Sequence, residues 1–189
     1  MIIGIAGTLG AGKGTVVEYL KQEGFLHYSS SGRLKEILEE RGLLSDRPHL
    51  SALADELLQT YQGGVLEASY KKAQAEGAKN YILESIHRLS ELEFMRSIGA
   101  IIIGVDAETN VRYERSVRRQ EGEKDNVTYD EFLSHIEREE NGKGEGTPNI
   151  RAVLEQADFV LNNNGTLAEL HQQIDEILQK ISPANNPAS

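Results

Sequence analysis

The stretch GIAGTLGAGKGTVVEYL, residues 4–20, decides the fold class of this chain of 189 residues. Its centre contains four glycines: Gly7, Gly10, Gly12 and Gly14. Glycines at this spacing let the backbone wrap closely round an anion, and the N-terminus of a following helix adds its positive end. Lys13 would reach the outer phosphates of a nucleotide as a point charge. Because the apolar run MIIGIA precedes the pattern and helical spacing follows it, the stretch predicts a phosphate-binding loop.

The residue after the lysine departs from the general pattern G-x-x-x-x-G-K-[ST], because Gly14 occupies the place of the hydroxyl. Thr15, one place later, is the hydroxyl best suited to serve metal-bound phosphates, and we expect it to contribute to a Mg²⁺ site. The residues that we expect to bind the nucleotide are Gly7, Gly10, Ala11, Gly12, Lys13, Gly14 and Thr15.

Composition excludes several other kinds of site. The chain has no cysteine, which rules out disulfides, thiolate metal sites and cysteine nucleophiles, and its five histidines include no H-E-x-x-H pair. A formal net charge of -10 gives no general attraction to nucleic acid or to anionic lipid. Only six residues precede the loop, so we expect no targeting segment or membrane span, and we expect a cytoplasmic protein.

Strand-like and helical patterns alternate along the chain. The predicted strands are MIIGIA, FLHYS, YILES, AIIIGV and DFVLN, with helical spacing between them. This order predicts an α/β fold, a parallel sheet of about five strands flanked by helices, as one domain. We expect a core of residues 1–30, 79–119 and 148–181, a helical insertion at 31–78, a polar segment at 120–147 and a flexible tail at 182–189.

Capping signals mark several helix starts. Pairs of Ser or Thr with Glu three residues later predict capping boxes at Ser90 with Glu93, Thr128 with Glu131, and Thr166 with Glu169. Thr147 and Pro148 stand in the order typical of an N-cap and a first helical turn, and they predict a further helix start.

The loop G-x-x-G-x-G-K-G-T resembles that of adenylate kinase and related nucleoside monophosphate kinases, in which the glycine after the lysine belongs to the pattern. The chain differs at Leu9, where adenylate kinases usually have proline. The resemblance implies a P-loop kinase that uses ATP and Mg²⁺.

Two further motifs resemble the same family more weakly. HYSSSGRLKEIL is similar to the segment that holds the acceptor phosphate, which implies substrate-binding roles for Ser30, Arg33 and Lys35; a serine N-cap followed by surface cations is the alternative. YILESIHRLSE resembles a strand that ends in Asp and is followed four residues later by Arg. Glu84 would then hold the water shell of Mg²⁺ and Arg88 a phosphate, unless the two form a surface ion pair.

The segment RYERSVRRQ resembles the helix that leads into the lid of these kinases. The resemblance implies that Arg115 and Arg119, with Arg138 across the lid, converge on the transferring phosphate and the donor base. We assign Arg112 and Arg118 to a charged helix face. The C-terminal portion is similar to dephospho-coenzyme A kinase, and this similarity would place residues 162–165, among them Asn162, near the donor base; a strand-to-helix turn rich in turn-forming residues is the alternative.

Together these features predict an ATP-dependent phosphotransferase that moves the γ-phosphoryl group to a small phosphorylated acceptor, most simply a nucleoside monophosphate. The insertion would hold the acceptor, and the segment 120–147 would close as a lid. One alternative is transfer to a ribose hydroxyl, with Glu84 as general base. Another is a nucleotide-dependent switch, although the chain lacks an N-K-x-D guanine motif. The identity of the acceptor and the oligomeric state stay open.

Overall fold

The structure is a computed structural model that describes residues 1–119, 128–142 and 146–182. Its strands are β1 (Ile2–Gly7), β2 (Leu26–Tyr28), β3 (Tyr81–Ile86), β4 (Ile101–Asp106) and β5 (Phe159–Asn162). Its helices are α1 (Lys13–Gln22), α2 (Ser30–Glu40), α3 (Arg47–Thr60), α4 (Gly64–Ala75), α5 (Leu89–Ser97), α6 (Thr109–Arg119), α7 (Tyr129–Glu140), α8 (Ile150–Glu155) and α9 (Leu167–Ile181).

The strands form one parallel sheet in the order β2-β3-β1-β4-β5. β1 occupies the centre because its residues are apolar or small and can be buried on both faces, as parallel sheets require. The prediction of an α/β fold with a five-stranded parallel sheet flanked by helices is confirmed. The loop that follows β1 therefore begins at the carboxyl edge of the sheet, where ligands bind in such folds.

Two apolar cores cover the two faces of the sheet. Alternate residues of β3 belong to different cores, with Tyr81 and Leu83 in one and Ile82 in the other. The first core includes residues of α4, α5 and α8, and the second includes residues of α1 and α9. This packing fixes β1 and α1 on either side of the glycine loop.

The insertion consists of α2, α3 and α4, and it has a core of its own: Ile37, Leu38, Leu53, Leu57 and Ala68. Two of its helices, α2 and α3, begin at capped positions, since the side chain of Ser29 accepts from the Gly32 N–H and that of Asp46 from the His49 N–H. No strand lies between residues 31 and 78, as predicted.

Two of the predicted capping boxes are confirmed, at Thr128 and at Thr166. The other two predicted helix starts are wrong. α5 begins at Leu89, earlier than predicted, because Glu91 accepts hydrogen bonds from the N–H groups that precede the helix.

α8 begins at Ile150, later than predicted, with Asn149 rather than Thr147 as its N-cap. The side chain of Asn149 accepts from the Ala152 N–H at 3.0 Å. Its backbone N–H donates to the His87 carbonyl at 2.8 Å. This contact with a distant segment fixes where the helix starts, and a local capping pattern does not contain it.

The predicted lid at 120–147 is described only in part. Residues 128–142 contain α7, whereas 120–127, 143–145 and the tail residues 183–189 lie outside the described residues, as does the side chain of Arg119. Within the described ranges, every helix is too short or too polar to cross a membrane.

Candidate functional site

The phosphate loop joins β1 to α1 at the centre of the sheet. Gly10 and Gly12 adopt positive φ angles of 77° and 97°, a region that side chains disfavour. Gly12 is the N-cap of α1, and neither a capping side chain nor an acidic residue in the first turn occupies the N-terminus of this helix. Because the first N–H groups of a helix have no intrahelical partner, this end of α1 is suited to an anion.

Distant parts of the chain press against three of the four glycines. A Cβ atom at Gly7 would lie 2.5 Å from the Val105 carbonyl oxygen, and one at Gly10 would lie 2.5 Å from the Arg112 carbonyl oxygen. A Cβ atom at Gly12 would collide with Nδ2 of Asn163.

Gly14 differs from these three, because no atom lies within 4 Å of the place of its missing Cβ. Gly14 and the adjacent Thr15 are both exposed at the start of α1. Protein packing therefore explains the first three glycines and leaves open space beside the fourth.

Lys13 folds back over the loop. Its Nζ donates to the carbonyl oxygens of Gly7 at 2.8 Å and Thr8 at 3.0 Å. Its positive charge contributes to lowering the pKa of both Glu84 and His87. The structure thus brings Lys13, Glu84 and His87 into one electrostatic neighbourhood at the carboxyl ends of β1 and β3.

A bulge near the end of β3 precedes the motif that contains Arg88. Ile5 of β1 pairs with Glu84 and the next residue, Ala6, pairs with Ile86, so Ser85 is the extra residue. Ser85 has a φ of 76°, the only positive value at a non-glycine position of the described chain. Bulges of this kind redirect side chains and occur beside active sites.

Glu84 is a carboxylate at neutral pH. Its Oε1 lies 3.2 Å from Nε2 of His27 on β2. The adjacent His27 imidazole lowers the pKa of Glu84, and the charge of Lys13 adds to this effect, although burial opposes it. An ionised carboxylate beside the loop suits the hydration shell of Mg²⁺.

Residues 87–91 include two site residues that the sequence did not reveal. Burial, with the charges of Lys13 and Arg88, lowers the pKa of His87 to about 4, so its imidazole is neutral at pH 7. Glu91 is 6% exposed and accepts from the N–H groups of His87 at 2.7 Å and Arg88 at 3.0 Å. Both lie within the motif that the sequence singled out, but nothing in their spacing distinguishes them.

Arg88 is held from two sides. Its Nη1 donates to Oε1 of Glu91 at 3.2 Å, and its Nε donates to the carbonyl oxygen of Gly146 at 2.8 Å. The guanidinium therefore connects the start of α5 with the predicted lid segment.

The three predicted acceptor residues on α2 separate in the structure. Ser30 lies beside the site, because its Oγ donates to the Glu84 carbonyl at 2.8 Å. Arg33 pairs with Glu36 at 3.2 Å and Glu40 at 3.1 Å, and it lines a cavity of about 340 Å³ along the edge strand β2. Lys35 is exposed.

The arginines of α6 have distinct surroundings. Arg112 is 1% exposed, so its assignment to a charged helix face is wrong, whereas Arg118 is exposed and pairs with Glu114 as expected. Because the Arg112 carbonyl packs against Gly10, α6 lies against the phosphate loop. Arg115 follows one turn later, and its Nη1 is buried with no hydrogen-bond partner in the described part of the chain. Arg138 is exposed on α7.

The turn after β5 contacts the loop through Asn163, which lies within the predicted range 162–165. Asn163 is 7% exposed, and its Nδ2 donates to the Ala11 carbonyl at 2.7 Å. Asn162 is exposed and lines a cavity of about 480 Å³ with Glu108. Three consecutive asparagines gave the sequence no means of identifying the one that turns inward.

The residues present fit a Mg²⁺ ion that is held chiefly by substrate phosphates and water. Thr15 offers an exposed hydroxyl in the first turn of α1, and Glu84 offers an ionised carboxylate. In the described ranges, no cluster of three or more His, Cys, Asp or Glu side chains could hold a metal by itself. Mg²⁺ at nucleotide sites commonly takes only one or two protein ligands.

Proteins of similar sequence span nearly the whole chain. A UPF0200 protein of Methanothermobacter thermautotrophicus is 27% identical over 192 residues, which cover 100% of this chain and 95% of the relative. A UPF0200 protein of Sulfurisphaera tokodaii is 29% identical over 182 residues, with 95% and 97% covered.

Solved structures share the fold at low identity. TT1252 from Thermus thermophilus superposes with a TM-score of 0.63 at 23% identity, covering 96% of this chain and 98% of its own. Shikimate kinase from Aquifex aeolicus has a TM-score of 0.55 at 17% identity, with 95% and 96% covered. Dephospho-CoA kinase from Campylobacter jejuni has a TM-score of 0.55 at 15% identity, with 96% and 97% covered.

A family model described as an AAA domain matches residues 3–141, a span that runs from β1 to the end of α7. This span includes the phosphate loop, the bulge at Ser85 and the arginines of α6. The chain belongs to this AAA-domain family.

Proposed function

We propose that the protein is an ATP-dependent phosphotransferase that moves the γ-phosphoryl group to a small phosphorylated acceptor, with a nucleoside monophosphate as the simplest candidate. The observation that carries the proposal is the uncapped loop at the start of α1, together with the open space beside Gly14. The loop suits the phosphates of the donor, and the space leaves room for a second substrate next to them.

The chain's own residues supply positioning and charge, which is most of what phosphoryl transfer requires. Lys13, now bonded to loop carbonyls, would turn to the outer phosphates of ATP. Arg115 and Arg119 would neutralise the transferring group, and Arg88 would orient the acceptor phosphate. Mg²⁺, held through Thr15 and Glu84, would neutralise charge on the phosphate oxygens. In this mechanism an acceptor oxygen attacks in line, and no side chain forms a bond to phosphorus.

The resemblance to nucleoside monophosphate kinases supports acceptor binding by residues 31–78 and a lid at 120–147. Ser30 is the predicted acceptor residue with the closest link to the site, through its bond to the Glu84 carbonyl. Arg33 would have to leave its two carboxylates to reach an acceptor phosphate, whereas Lys35 is exposed. Arg138 on α7 and Asn162 beside the 480 Å³ cavity stay candidates for the donor side.

A second candidate is transfer to a hydroxyl acceptor, with Glu84 as the general base. The observation that favours it is His27 behind the carboxylate, at 3.2 Å, in a position to orient it. The lowered pKa of Glu84 argues for the metal role instead, because a weaker base takes a hydroxyl proton less readily.

The proposal is tested by incubating the protein with ATP, Mg²⁺ and a panel of acceptors, and measuring ADP and the phosphorylated product. The panel contains the nucleoside monophosphates, dephospho-coenzyme A and shikimate. Product from a monophosphate supports the main proposal, and product only from a hydroxyl acceptor supports the second candidate. ATP turnover that no acceptor alters would favour a nucleotide-dependent switch.

A matched pair of lysine variants on α1 assigns the activity to the loop. Lys13→Met should lower transfer by about 10³-fold or more and leave the fold intact. Lys21→Met, in the last turn of the same helix, removes an equal charge from an exposed pair with Glu18 and should retain activity. Full activity of Lys13→Met would contradict the proposal.

A further inference from the structure

Four charged side chains form a network that the proposed transfer does not use. They come from four different elements, β4, α6, α7 and α8, and we call them the charged ring: Asp106, Arg112, Glu140 and Arg151. This network is not apparent from the sequence alone, because its members are far apart in the chain.

Glu140 is the centre of the charged ring. It is 2% exposed, and each of its carboxylate oxygens accepts from a different arginine. Oε1 accepts from Nη1 of Arg112 at 2.5 Å, and Oε2 accepts from Nε of Arg151 at 2.8 Å. Arg112 is itself 1% exposed, so two opposite charges are taken fully out of water at this point.

Both ends of the charged ring lie on the phosphate loop, at two consecutive residues. Arg151 donates from Nη1 to Oδ2 of Asp106 at 2.6 Å, and Oδ1 of Asp106 accepts from Oγ1 of Thr8 at 2.8 Å. At the other end, Nη1 of Arg112 lies 3.4 Å from the carbonyl oxygen of Leu9. The ring therefore closes through the loop backbone between Thr8 and Leu9.

Burial of the charged ring costs desolvation free energy that apolar side chains in the same space would not incur. Desolvating two ions can cost as much free energy as their attraction returns, and well-packed apolar side chains of similar volume often stabilise a protein equally well. What apolar side chains would not supply is a directed contact with the Leu9 carbonyl. Since the Arg112 backbone also packs on Gly10, a shift of Arg112 would move α6, and Arg115 with it, relative to the loop.

We propose that Glu140 and Arg112 are positioning residues that hold the phosphate loop in its anion-binding shape and fix α6 against it. The inference rests on the proposed function for its catalytic consequence, because Lys13 and Arg115 act on the same phosphates only if the loop and α6 keep their relative position. Its structural part, the order of the loop, can be measured without any substrate.

Two variants and one control test the proposal. Glu140→Gln keeps the shape and removes the charge. The double variant Arg112→Met with Glu140→Met replaces the buried pair with apolar side chains of similar length, so its melting temperature should equal or exceed that of the wild type. Glu139→Gln serves as the matched control, because it removes one charge from the residue that precedes Glu140 on α7. Glu139 is only partly buried.

The first measurement is hydrogen exchange of the nucleotide-free protein at the amides of Thr8 and Ala11. These amides donate to the carbonyls of Val105 at 3.3 Å and of Thr8 at 3.2 Å. We expect exchange about tenfold faster in both ring variants and unchanged exchange in α9, with the control variant like the wild type. Wild-type exchange at these amides in a stable double variant would overturn the proposal.

The second measurement is the affinity for a non-hydrolysable ATP analogue with Mg²⁺. We expect the double variant to bind about tenfold more weakly although its stability is retained. If the charged ring served only to stabilise the fold, a double variant of wild-type stability would also have wild-type affinity. A wild-type protein that binds no nucleotide would contradict the proposed function, and the exchange result would still decide whether the charged ring orders the loop. Wild-type affinity and exchange together in the double variant would assign the ring to packing alone.

Discussion

The proposed donor and acceptor sides of the candidate site are built differently. On the donor side, residues from distant parts of the chain shape the phosphate loop, with Arg112 against Gly10 and Asn163 against Gly12. On the proposed acceptor side, four lysine and arginine side chains of the insertion pair with carboxylates of the insertion itself. These pairs are Arg33 with Glu36 and Glu40, Arg41 with Glu56, Lys71 with Glu67, and Lys72 with Glu36.

In the proposed function, this difference makes the donor loop a more fixed binding site than the insertion. The loop offers backbone N–H groups in a fixed arrangement, which any nucleoside triphosphate can use. Each of the four paired cations of the insertion would have to exchange its carboxylate for a substrate phosphate in order to bind that phosphate. Exposed ion pairs contribute little stability, so such an exchange costs little, and the paired state does not specify which substrate replaces the carboxylate.

The largest expected loss of ATP affinity comes from disrupting the proposed donor side at Gly12. In Gly12→Ala the new methyl group must displace Asn163, and the alanine backbone must adopt a positive φ. We therefore expect ATP affinity to fall by more than about a hundredfold. Gly24→Ala is the matched control, because Gly24 also has a positive φ, 91°, but nothing lies within 4 Å of its missing Cβ. It should lose about 1–2 kcal/mol of stability and keep wild-type affinity. Calorimetric titration with an ATP analogue measures the affinity of both variants, and thermal unfolding measures their stability. Equal losses of affinity in the two variants would contradict the role of Asn163.

The place of the phosphate loop between β1 and α1 could be predicted from the sequence because local chemistry determines it. The apolar run of β1, the spacing of the glycines and Lys13 stand within a few residues of one another, and so do the capping boxes at Thr128 and Thr166. The order of strands and helices then predicted the parallel sheet, which is confirmed.

What the sequence missed depends on contacts between distant residues. Arg112 reads as part of a polar helix face, and its burial becomes visible only when Glu140 meets it from α7. Asn163 cannot be separated from its neighbours until the turn after β5 lies against the loop. For the same reason, the N-cap of α8 is Asn149 and not Thr147, since the Asn149 N–H donates to the distant His87 carbonyl.

A comparison of Arg115 with Arg33 tests whether the two sides differ in function as they do in structure. Nη1 of Arg115 is buried without a hydrogen-bond partner in the described part of the chain, whereas Arg33 has two carboxylates. We expect Arg115→Met to lower kcat by about 10²–10³-fold, because it removes a preorganised donor to the transferring phosphate. Arg33→Met should raise the KM of the acceptor by less than about tenfold and leave kcat nearly unchanged. Steady-state kinetics with both substrates varied distinguishes these outcomes, and a larger loss of kcat in Arg33→Met would reverse the comparison.

His87 is a buried imidazole near Lys13, Arg88 and Glu84, and it should make the free energy of unfolding depend on pH. Its pKa in the folded protein is about 4, below the ordinary value of 6.5, so protonation favours the unfolded state. Its contribution is complete above about pH 6.5 and is lost as the pH falls toward 4, by up to about 3 kcal/mol. In His87→Asn this part of the slope should vanish. Urea unfolding of both proteins at intervals from pH 7.5 to 4.5 measures it, and a difference in stability that stays constant with pH would contradict the burial of a neutral imidazole.

The smallest effect distinguishes the open space beside Gly14 from an unused surface. An alanine at this position meets no atom within 4 Å, and it replaces the least favourable helix residue after proline, so Gly14→Ala should raise stability by about 0.5–1 kcal/mol. Gly32→Ala, in the first turn of α2 on the proposed acceptor side, meets only Oγ and Cβ of Ser29, at 3.4 Å and 3.6 Å, and should gain a similar amount. If the space beside Gly14 receives a substrate, only Gly14→Ala loses transfer, by about tenfold, because the methyl group displaces a reacting group from its near-attack position. Thermal unfolding and initial rates of both variants decide the matter: equal rates would mean that the space beside Gly14 is solvent, and the comparison of donor and acceptor sides would then rest on the other three glycines.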